Sequence, residues 1–214
     1  MAYLTSCQVC QLCGNDSILK LPSIGWLYGG WNMQLISGAT GNLPKDLYAR
    51  VASYRHQVFV EQMGWPLHTK NGMESDQFDR QDTVYVVGQD AYGHITGCAR
   101  LLPTTGPYLL REVFPQLLNG LPPPYSPEIW ELSRFAAVDL HSRGAPYEST
   151  PTRMAHKLLE QSIACAAGHG AKKLITVTSI AVERLLSRNG FRSHRAGPPM
   201  IVDGKPIVAC WIGL

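Results

Sequence analysis

Three carboxylates, Glu74, Asp76 and Asp79, stand together in the stretch GMESDQFDRQDTVYVV, just ahead of an apolar run with strand character. Such a cluster needs positive charge, supplied by a metal ion, a partner's lysine or a charged small molecule. Calcium is disfavoured by the pattern, because the run lacks the alternating oxygen ligands, the glycine and the closing glutamate of an EF-hand loop. A second polar set, Glu131, Ser133 and Arg134, interrupts EIWELSRFAAV, which otherwise reads as a buried strand. Alternation puts Glu131 and Ser133 on one face and Arg134 on the other, unless a bulge intervenes. A lone buried charge is costly, so each of these groups needs a partner or a ligand. A structural Glu–Arg network satisfies the spacing as well as a binding site does. Arg100, at the end of HITGCARLLP, is a candidate for the same cleft, and Arg55, Phe59 and Trp65 belong to an earlier helix and its exit. Taken singly, Arg55 reads as a rim residue with its stem on apolar surface, and Phe59 and Trp65 read as core.

The elements that must position these groups follow from periodicity. NLPKDLYARVASYRHQVFVEQMGW has apolar residues at 43, 47, 51, 54 and 58, which predicts an amphipathic helix with Asn42 as N-cap, Pro44 in the first turn and an end near Gly64. TVYVVGQD, AYG and HITGCARLLP predict a β-hairpin. LLREVFPQLL predicts a short helix or turn ahead of the proline-rich LPPPYSP, after which comes the central strand. A second long helix covers TPTRMAHKLLEQSIACAAGHG, with Leu158, Leu159, Ile163 and Ala166 on one side, Thr150 or Thr152 as cap and Gly168 or Gly170 as stop. KKLITVTS is a strand, IAVERLLSRNG a helix ended by Gly190, and PMIVDGKPIVACWIG a hairpin turning at Asp203 and Gly204. This order predicts a three-layer α-β-α sandwich of the α/β class, with a mixed, mostly antiparallel sheet. It is similar to the order in GNAT acyltransferases.

The 214 residues, 45% hydrophobic and 16% charged, suffice for a single domain with a real core. The net charge of +3 is not gathered into the stripe that nucleic-acid binding requires, and an acidic protein partner fits better than nucleic acid. No run approaches the ~18 apolar residues of a membrane span, and the N-terminus has no signal-peptide pattern, so a cytoplasmic, membrane-free protein is expected. Of the six cysteines, Cys98, Cys165 and Cys210 read as small core hydrophobes in a reducing compartment. Cys7, Cys10 and Cys13 have the spacing of an iron–sulfur or zinc set, but no fourth ligand follows at a matching interval, and no metal is expected. Residues 1–32, rich in Gly and Ser and broken by Pro22, lack periodicity, and Met33 opens the apolar MQLISG. They are expected to be an N-terminal extension, mobile or upstream of a true start at Met33, with 33–214 as a single domain.

The ordered series Arg55, Phe59, Trp65, then ESDQFD with Glu74, Asp76 and Asp79, then Arg100 in GCARLLPT, Phe114, and Glu131 with Arg134 in WELSRF resembles the acyl-homoserine-lactone synthases, the autoinducer synthases of quorum sensing. The resemblance spans about 33–214, and only the extension before Met33 departs from it. It implies that S-adenosylmethionine and an acyl group on acyl carrier protein become an N-acyl-homoserine lactone, methylthioadenosine and free carrier protein, with S-adenosylmethionine as a substrate and no cofactor. A sulfonium, an amine and a carboxylate call for anions, an arginine and an aromatic surface. Asp76 and Asp79 would then hold the pocket, Phe59 and Trp65 would wall it, and Arg55 or Arg100 would pair with the ligand carboxylate or brace the acidic loop.

Acylation needs a neutral amine; with an α-amino pKa of about 8, a modest base suffices. Glu131, acting through water, is the candidate, with backbone N–H groups at a bulge holding the thioester oxygen and Arg134 and Ser133 organising the site. Lactone closure is attack of the carboxylate on the carbon beside the sulfonium, which needs folding of the substrate more than an acid. An apolar wall of KKLITVTS and the 153–167 helix would take the acyl chain. By resemblance Thr176 can hydrogen-bond an oxygen on its third carbon, although β-propensity explains a strand threonine equally well. Lys172, Lys173, Arg184, Arg188, Arg192 and Arg195 form a candidate docking face for the acidic carrier, or simply a solvated basic surface.

Two other functions remain consistent with the sequence alone. A GNAT acetyltransferase using acetyl-coenzyme A would place a Q/R-x-x-G-x-G/A turn before the second long helix; HSRGAPYESTP has Arg143 and Gly144 without the full turn. A module that only senses S-adenosylmethionine would keep the acidic loop without needing the polar set of WELSRF. Nucleophilic mechanisms are disfavoured, since no Ser or Cys lies in an elbow and His94, His141, His156 and His169 share no spacing.

Overall fold

The computed structural model describes residues 19–20, 33–141 and 150–214. Its main sheet has nine strands: β1 (Leu19–Lys20), β2 (Gln34–Ala39), β5 (Val84–Gln89), β6 (Ile95–Pro103), β7 (Ile129–Ala136), β8 (Lys173–Ser179), β9 (Ser193–Arg195), β10 (Met200–Val202) and β11 (Lys205–Gly213). The order is β1-β2-β5-β6-β7-β8-β11-β10, with β9 beside β11. A separate small hairpin pairs β3 (Thr69–Lys70) with β4 (Met73–Glu74). Among the described strands only β7 and β8 pair in parallel, so the sheet is mixed and mostly antiparallel as expected.

Alternation along the strands sorts side chains into two faces. Val84, Val86, Ala99, Leu101, Leu132 and Leu174 pack under α3 (Thr150–Gly168) and α4 (Ile180–Arg188). Tyr85, Val87, Cys98 and Ala136 pack under α1 (Lys45–Arg55). Further along the α1 face, Leu102, Ile175 and Ala209 are covered by α2 (Leu109–Glu112) and the 3₁₀ turn Pro115–Leu118. Helices on both faces complete the three layers, and among the described residues no helix is long and apolar enough to cross a membrane.

The apolar stripe of α1 is the predicted one: Leu43, Leu47, Val51, Tyr54 and Val58 are all buried. Its start differs, however. Asn42 closes a 3₁₀ turn, Leu43 is extended with ψ 144°, and Pro44 occupies the N-cap position. The proline forces this shift, because its ring disfavours helical geometry in the residue before it. The helix then widens to π geometry over His56–Gln62 and stops at Gly64, whose φ of +66° few other residues tolerate. The hairpins at 84–103 and 200–213 form as predicted, the latter turning through positive φ at Asp203 and Gly204. The β3–β4 hairpin and β9 were not predicted, although Asn71-Gly72, both at positive φ, is a standard hairpin signal. Cys98 and Cys210 are buried and Cys165 half-buried, all free thiols, in keeping with their reading as core. Cys7, Cys10 and Cys13, most of HSRGAPYESTP and the cap side chains of Thr150 and Thr152 lie outside the described residues.

Candidate active site

The carboxylates of the opening stretch find their charge inside the protein. Glu74, ending β4, receives Arg55 Nε at 2.5 Å and Arg134 Nη2 at 2.9 Å. Asp79 receives Arg55 Nη1 at 2.9 Å and Arg100 Nη1 at 2.8 Å. Asp76 receives Arg100 Nη1 at 2.6 Å and Arg134 Nη2 at 2.8 Å. Three arginines and three carboxylates thus form a closed, charge-balanced ring. The acidic loop is further fixed from within: the Asp76 N–H donates to Asp79 Oδ2 and the Phe78 N–H to Asp76 Oδ1, both at 2.9 Å.

Tyr85 locks the ring to the sheet. Its hydroxyl donates to Asp79 and accepts from Arg55, and the side chain is fully buried. This residue was missed in the sequence; the only signal was one phenol in an aliphatic strand, TVYVV. Burial alone would raise the pKa of Asp79, but the charges of Arg55 and Arg100 prevail and hold it well below the usual carboxylate range. Glu74, also buried, is pulled down by hydrogen bonds from Arg134 and Arg55.

Arg134 reaches this ring because of a bulge. Cys98 pairs with Ala136 but Arg100 pairs with Ser133, so β7 carries one residue more than β6 over this interval. Arg134 adopts φ +49° there, which turns its side chain onto the α1 face beside Ser133, whose Oγ accepts from Arg100 Nε at 3.0 Å. The structural network left open by the sequence therefore exists, with different members: Arg134 pairs with Glu74 and Asp76, not with Glu131. Glu131 is fully buried and accepts from the N–H groups of Leu109 at 2.9 Å and Leu110 at 2.6 Å, at the start of α2. Burial pushes its pKa up to about 7 against the opposing effect of these two hydrogen bonds.

Beside the ring opens a cleft of about 1340 Å³. Phe59, Trp65, Asp76, Phe114, Ser133, Arg134 and Thr176 line it, whereas Arg55, Glu74, Asp79, Arg100 and Glu131 lie behind its wall. Phe59 stacks on Trp65 with centroids 4.9 Å apart, and the Arg134 guanidinium lies 5.8 Å from the Phe59 ring centre. Of the two roles open to Arg55 and Arg100, pairing with the ligand carboxylate or bracing the acidic loop, the geometry fits the brace: both are fully buried on that loop's carboxylates. Only the reading of Arg55 as a rim residue is corrected. Of the three carboxylates of the ring only Asp76 lines the cleft. Among the described residues no group of His, Cys, Asp and Glu is arranged to hold a metal ion.

The cleft runs into the sheet where β7 and β8 part. Their parallel register ends at Leu132–Thr176, and beyond it Ser133, Arg134 and Phe135 face Val177, Thr178 and Ser179 across the opening. Leu159, Val182 and Leu186 from the helices beyond make this end apolar.

The expected docking cations are outside the cleft. Lys172 pairs with Glu128, and Arg195 is held by Glu183 at 2.6 and 2.8 Å, so neither is an unengaged charge. Lys173 pairs in register with Gly213, whose N–H donates to the Arg192 carbonyl at 2.8 Å, which brings Lys173 and Arg192 to one end of the sheet. Arg184 and Arg188 are exposed on α4.

Known proteins share this chain's sequence and fold. The autoinducer synthase family model matches residues 42–212. An acyl-homoserine-lactone synthase of Acinetobacter nosocomialis is 53% identical over 183 residues, 84% of this chain and 99% of the relative. TofI, solved in a ternary complex with an inhibitor and MTA, superposes with a TM-score of 0.73 at 48% identity, covering 84% of this chain and 90% of that one. BjaI, a CoA-dependent acyl-homoserine lactone synthase solved with SAM and isopentyl-CoA, superposes with a TM-score of 0.73 at 26% identity, covering 83% and 81%. An acyl-CoA N-acyltransferase from Pseudomonas aeruginosa, 14% identical with a TM-score of 0.56 over 84% of this chain and 98% of that one, shares the fold alone. The chain belongs to the autoinducer synthase family, the acyl-homoserine-lactone synthases.

Proposed function

We propose that this enzyme transfers an acyl group from acyl carrier protein to the α-amine of S-adenosylmethionine and then closes the homoserine lactone, releasing methylthioadenosine and holo-carrier protein. The observation that carries this reading is the form of the cleft: one continuous space with a polar, aromatic end and an apolar end, meeting at the bulge of β7. S-adenosylmethionine fits the first end, with adenine against Phe59, Trp65 and Phe114 and its charged groups facing Asp76 and Arg134. That TofI was solved with MTA supports a nucleoside thioether or sulfonium as the ligand class. The acyl chain fits the second end, between β8 and α3, where Thr176 stands at the split.

The amine nitrogen attacks the thioester carbonyl, the carbon–sulfur bond breaks, and the amine loses a proton. Glu131 is our proposed acceptor for that proton, through one water. Two of its roughly four lone-pair sites accept from the amides of α2 and two remain, and a carboxyl with a pKa of about 7 suits transfer near neutral pH. Ser133 and Arg134 hold the chain at the bulge, whose backbone N–H groups are the proposed donors to the developing oxyanion. The substrate carboxylate then displaces the sulfonium, so that the leaving thioether carries no charge.

Arg184, Arg188, Lys173 and Arg192 suit an acidic carrier. The coenzyme A alternative draws on BjaI. The two donors are distinguished by kcat/KM for one acyl chain presented on carrier protein and on coenzyme A. At least a tenfold advantage for the carrier thioester, reduced by charge reversal at Arg184 and Arg188, is expected; equal or greater efficiency with coenzyme A overturns the carrier assignment.

A further inference from the structure

The mouth of the cleft is crossed by one polar contact that the chemistry above leaves unused. Lys205, the first residue of β11, donates from Nζ to the Met63 carbonyl at 3.1 Å, 142 residues away in sequence. Met63 is the C-cap of the π-helical segment His56–Gln62, where unsatisfied carbonyls collect and a cation is favoured. That segment presents Phe59; the Trp65 N–H donates to the Phe59 carbonyl at 2.9 Å and the Met63 N–H to the Val58 carbonyl at 3.0 Å, which ties the aromatic wall and Met63 to one segment. On the other side, Lys205 belongs to the β10–β11 hairpin, whose Val202, Asp203 and Ile207 line the cleft opposite Met63 and Trp65. β10 is the last strand of the sheet, paired on one side only, and the Lys205–Met63 contact joins this edge to the helical segment.

We infer that Lys205 is a positioning residue: its ammonium clasps the β10–β11 turn to the end of the helical segment bearing Phe59 and Trp65, covering the nucleoside end of the cleft once S-adenosylmethionine is inside. The clasp touches neither reacting atom. It acts by holding the aromatic wall in register with the strand wall and by slowing escape of the bound sulfonium substrate. This rests on the placement of S-adenosylmethionine against Phe59 and Trp65 given above. A side chain-to-carbonyl hydrogen bond of ordinary net strength corresponds to an effect of about two- to tenfold on affinity. Arginine reaches and donates like lysine; methionine keeps the stem and loses the donor.

The test measures S-adenosylmethionine binding and release by calorimetry and stopped flow, together with steady-state kinetics, for the full chain and the variants Lys205→Met, Lys205→Arg and Trp65→Ala. For Lys205→Met we expect Kd to rise about three- to tenfold through faster dissociation, a rise in KM larger than any fall in kcat, and an unchanged melting temperature. Lys205→Arg should stay within about twofold of the parent. If Trp65→Ala weakens binding while Lys205→Met dissociates at the parental rate, the clasp is refuted and the substrate placement stands. If Trp65→Ala binds like the parent, the placement itself is wrong. Equal losses in Lys205→Met and Lys205→Arg would also overturn the clasp, since the donor would then not be what matters.

Discussion

The two ends of the cleft are built on opposite principles. At the proposed S-adenosylmethionine end, six charged side chains hold one another: Arg55, Arg100 and Arg134 close on Glu74, Asp76 and Asp79, with Tyr85 and Ser133 adding hydrogen bonds and the Nη2 atoms of Arg55 and Arg100 left unpartnered among the described residues. At the proposed acyl end, parted strands and the aliphatic Leu159, Val182 and Leu186 surround a few hydroxyls, those of Thr176, Thr178 and Ser179. The first arrangement suits a ligand that never varies, because moving any one charge unbalances the rest. The second suits a chain whose length can vary, since methylenes need area and not direction.

This contrast predicts unequal sensitivity. The largest effect is expected at Arg100, which serves Asp76, Asp79 and Ser133 while fully buried. Arg100→Ala leaves two carboxylates short of their partner and should cost about 3–5 kcal/mol in urea unfolding, with loss of lactone synthesis. The same ring sets an acid limit. Because Asp79 and Glu74 have lowered pKa values in the fold, their contribution is present above the ordinary carboxylate pKa of about 4 and is lost as pH falls below it. Glu131 has the opposite sign: its raised pKa contributes at low pH, and that contribution is lost as pH rises through about 7. Melting curves of the parent and Glu131→Gln should therefore differ in the upper limb and not in the lower one.

Next in size is the activity of Glu131→Gln. If Glu131 takes the proton, kcat/KM should fall by roughly 10²–10⁴. The limb of the pH profile near 7 should disappear, leaving that of the substrate amine near ~8. A variant that keeps the limb near 7 would reduce Glu131 to a cap for α2.

These two regions were unequally legible in the sequence. The strands, the turn at Asp203-Gly204 and the stripe of α1 could be read because each is a local pattern of two to four residues. The site's residue types were legible for the same reason, through ESDQFD and WELSRF. Their pairing was not, because Arg134 meets Glu74 across 60 residues and only after a bulge reverses its side. The full burial of Arg55 was equally hidden: its neutralising partners come from a loop and a strand that no helical period reveals.

A smaller effect is expected at Gly197, where an added Cβ would fall inside contact distance of the Leu117 carbonyl oxygen. Gly197→Ala should cost about 1–3 kcal/mol and, by displacing the turn that follows Phe114, should raise KM for S-adenosylmethionine more than KM for the acyl donor. The smallest effect belongs to the permissive end. Thr176→Val should change the ratio of 3-oxo to unsubstituted product about two- to tenfold, the worth of one neutral hydrogen bond, while total turnover changes less. A larger loss of turnover than of preference there would erase the contrast between the two ends.

The most direct test of the central claim is to incubate the purified chain with S-adenosylmethionine labelled in its homoserine carbons and a series of acyl carrier proteins, following both products by mass spectrometry. The account predicts a labelled N-acyl-homoserine lactone and methylthioadenosine in equal amounts, with one chain length favoured. Acyl transfer to S-adenosylmethionine without ring closure, or methylthioadenosine released without any acylated product, would contradict it.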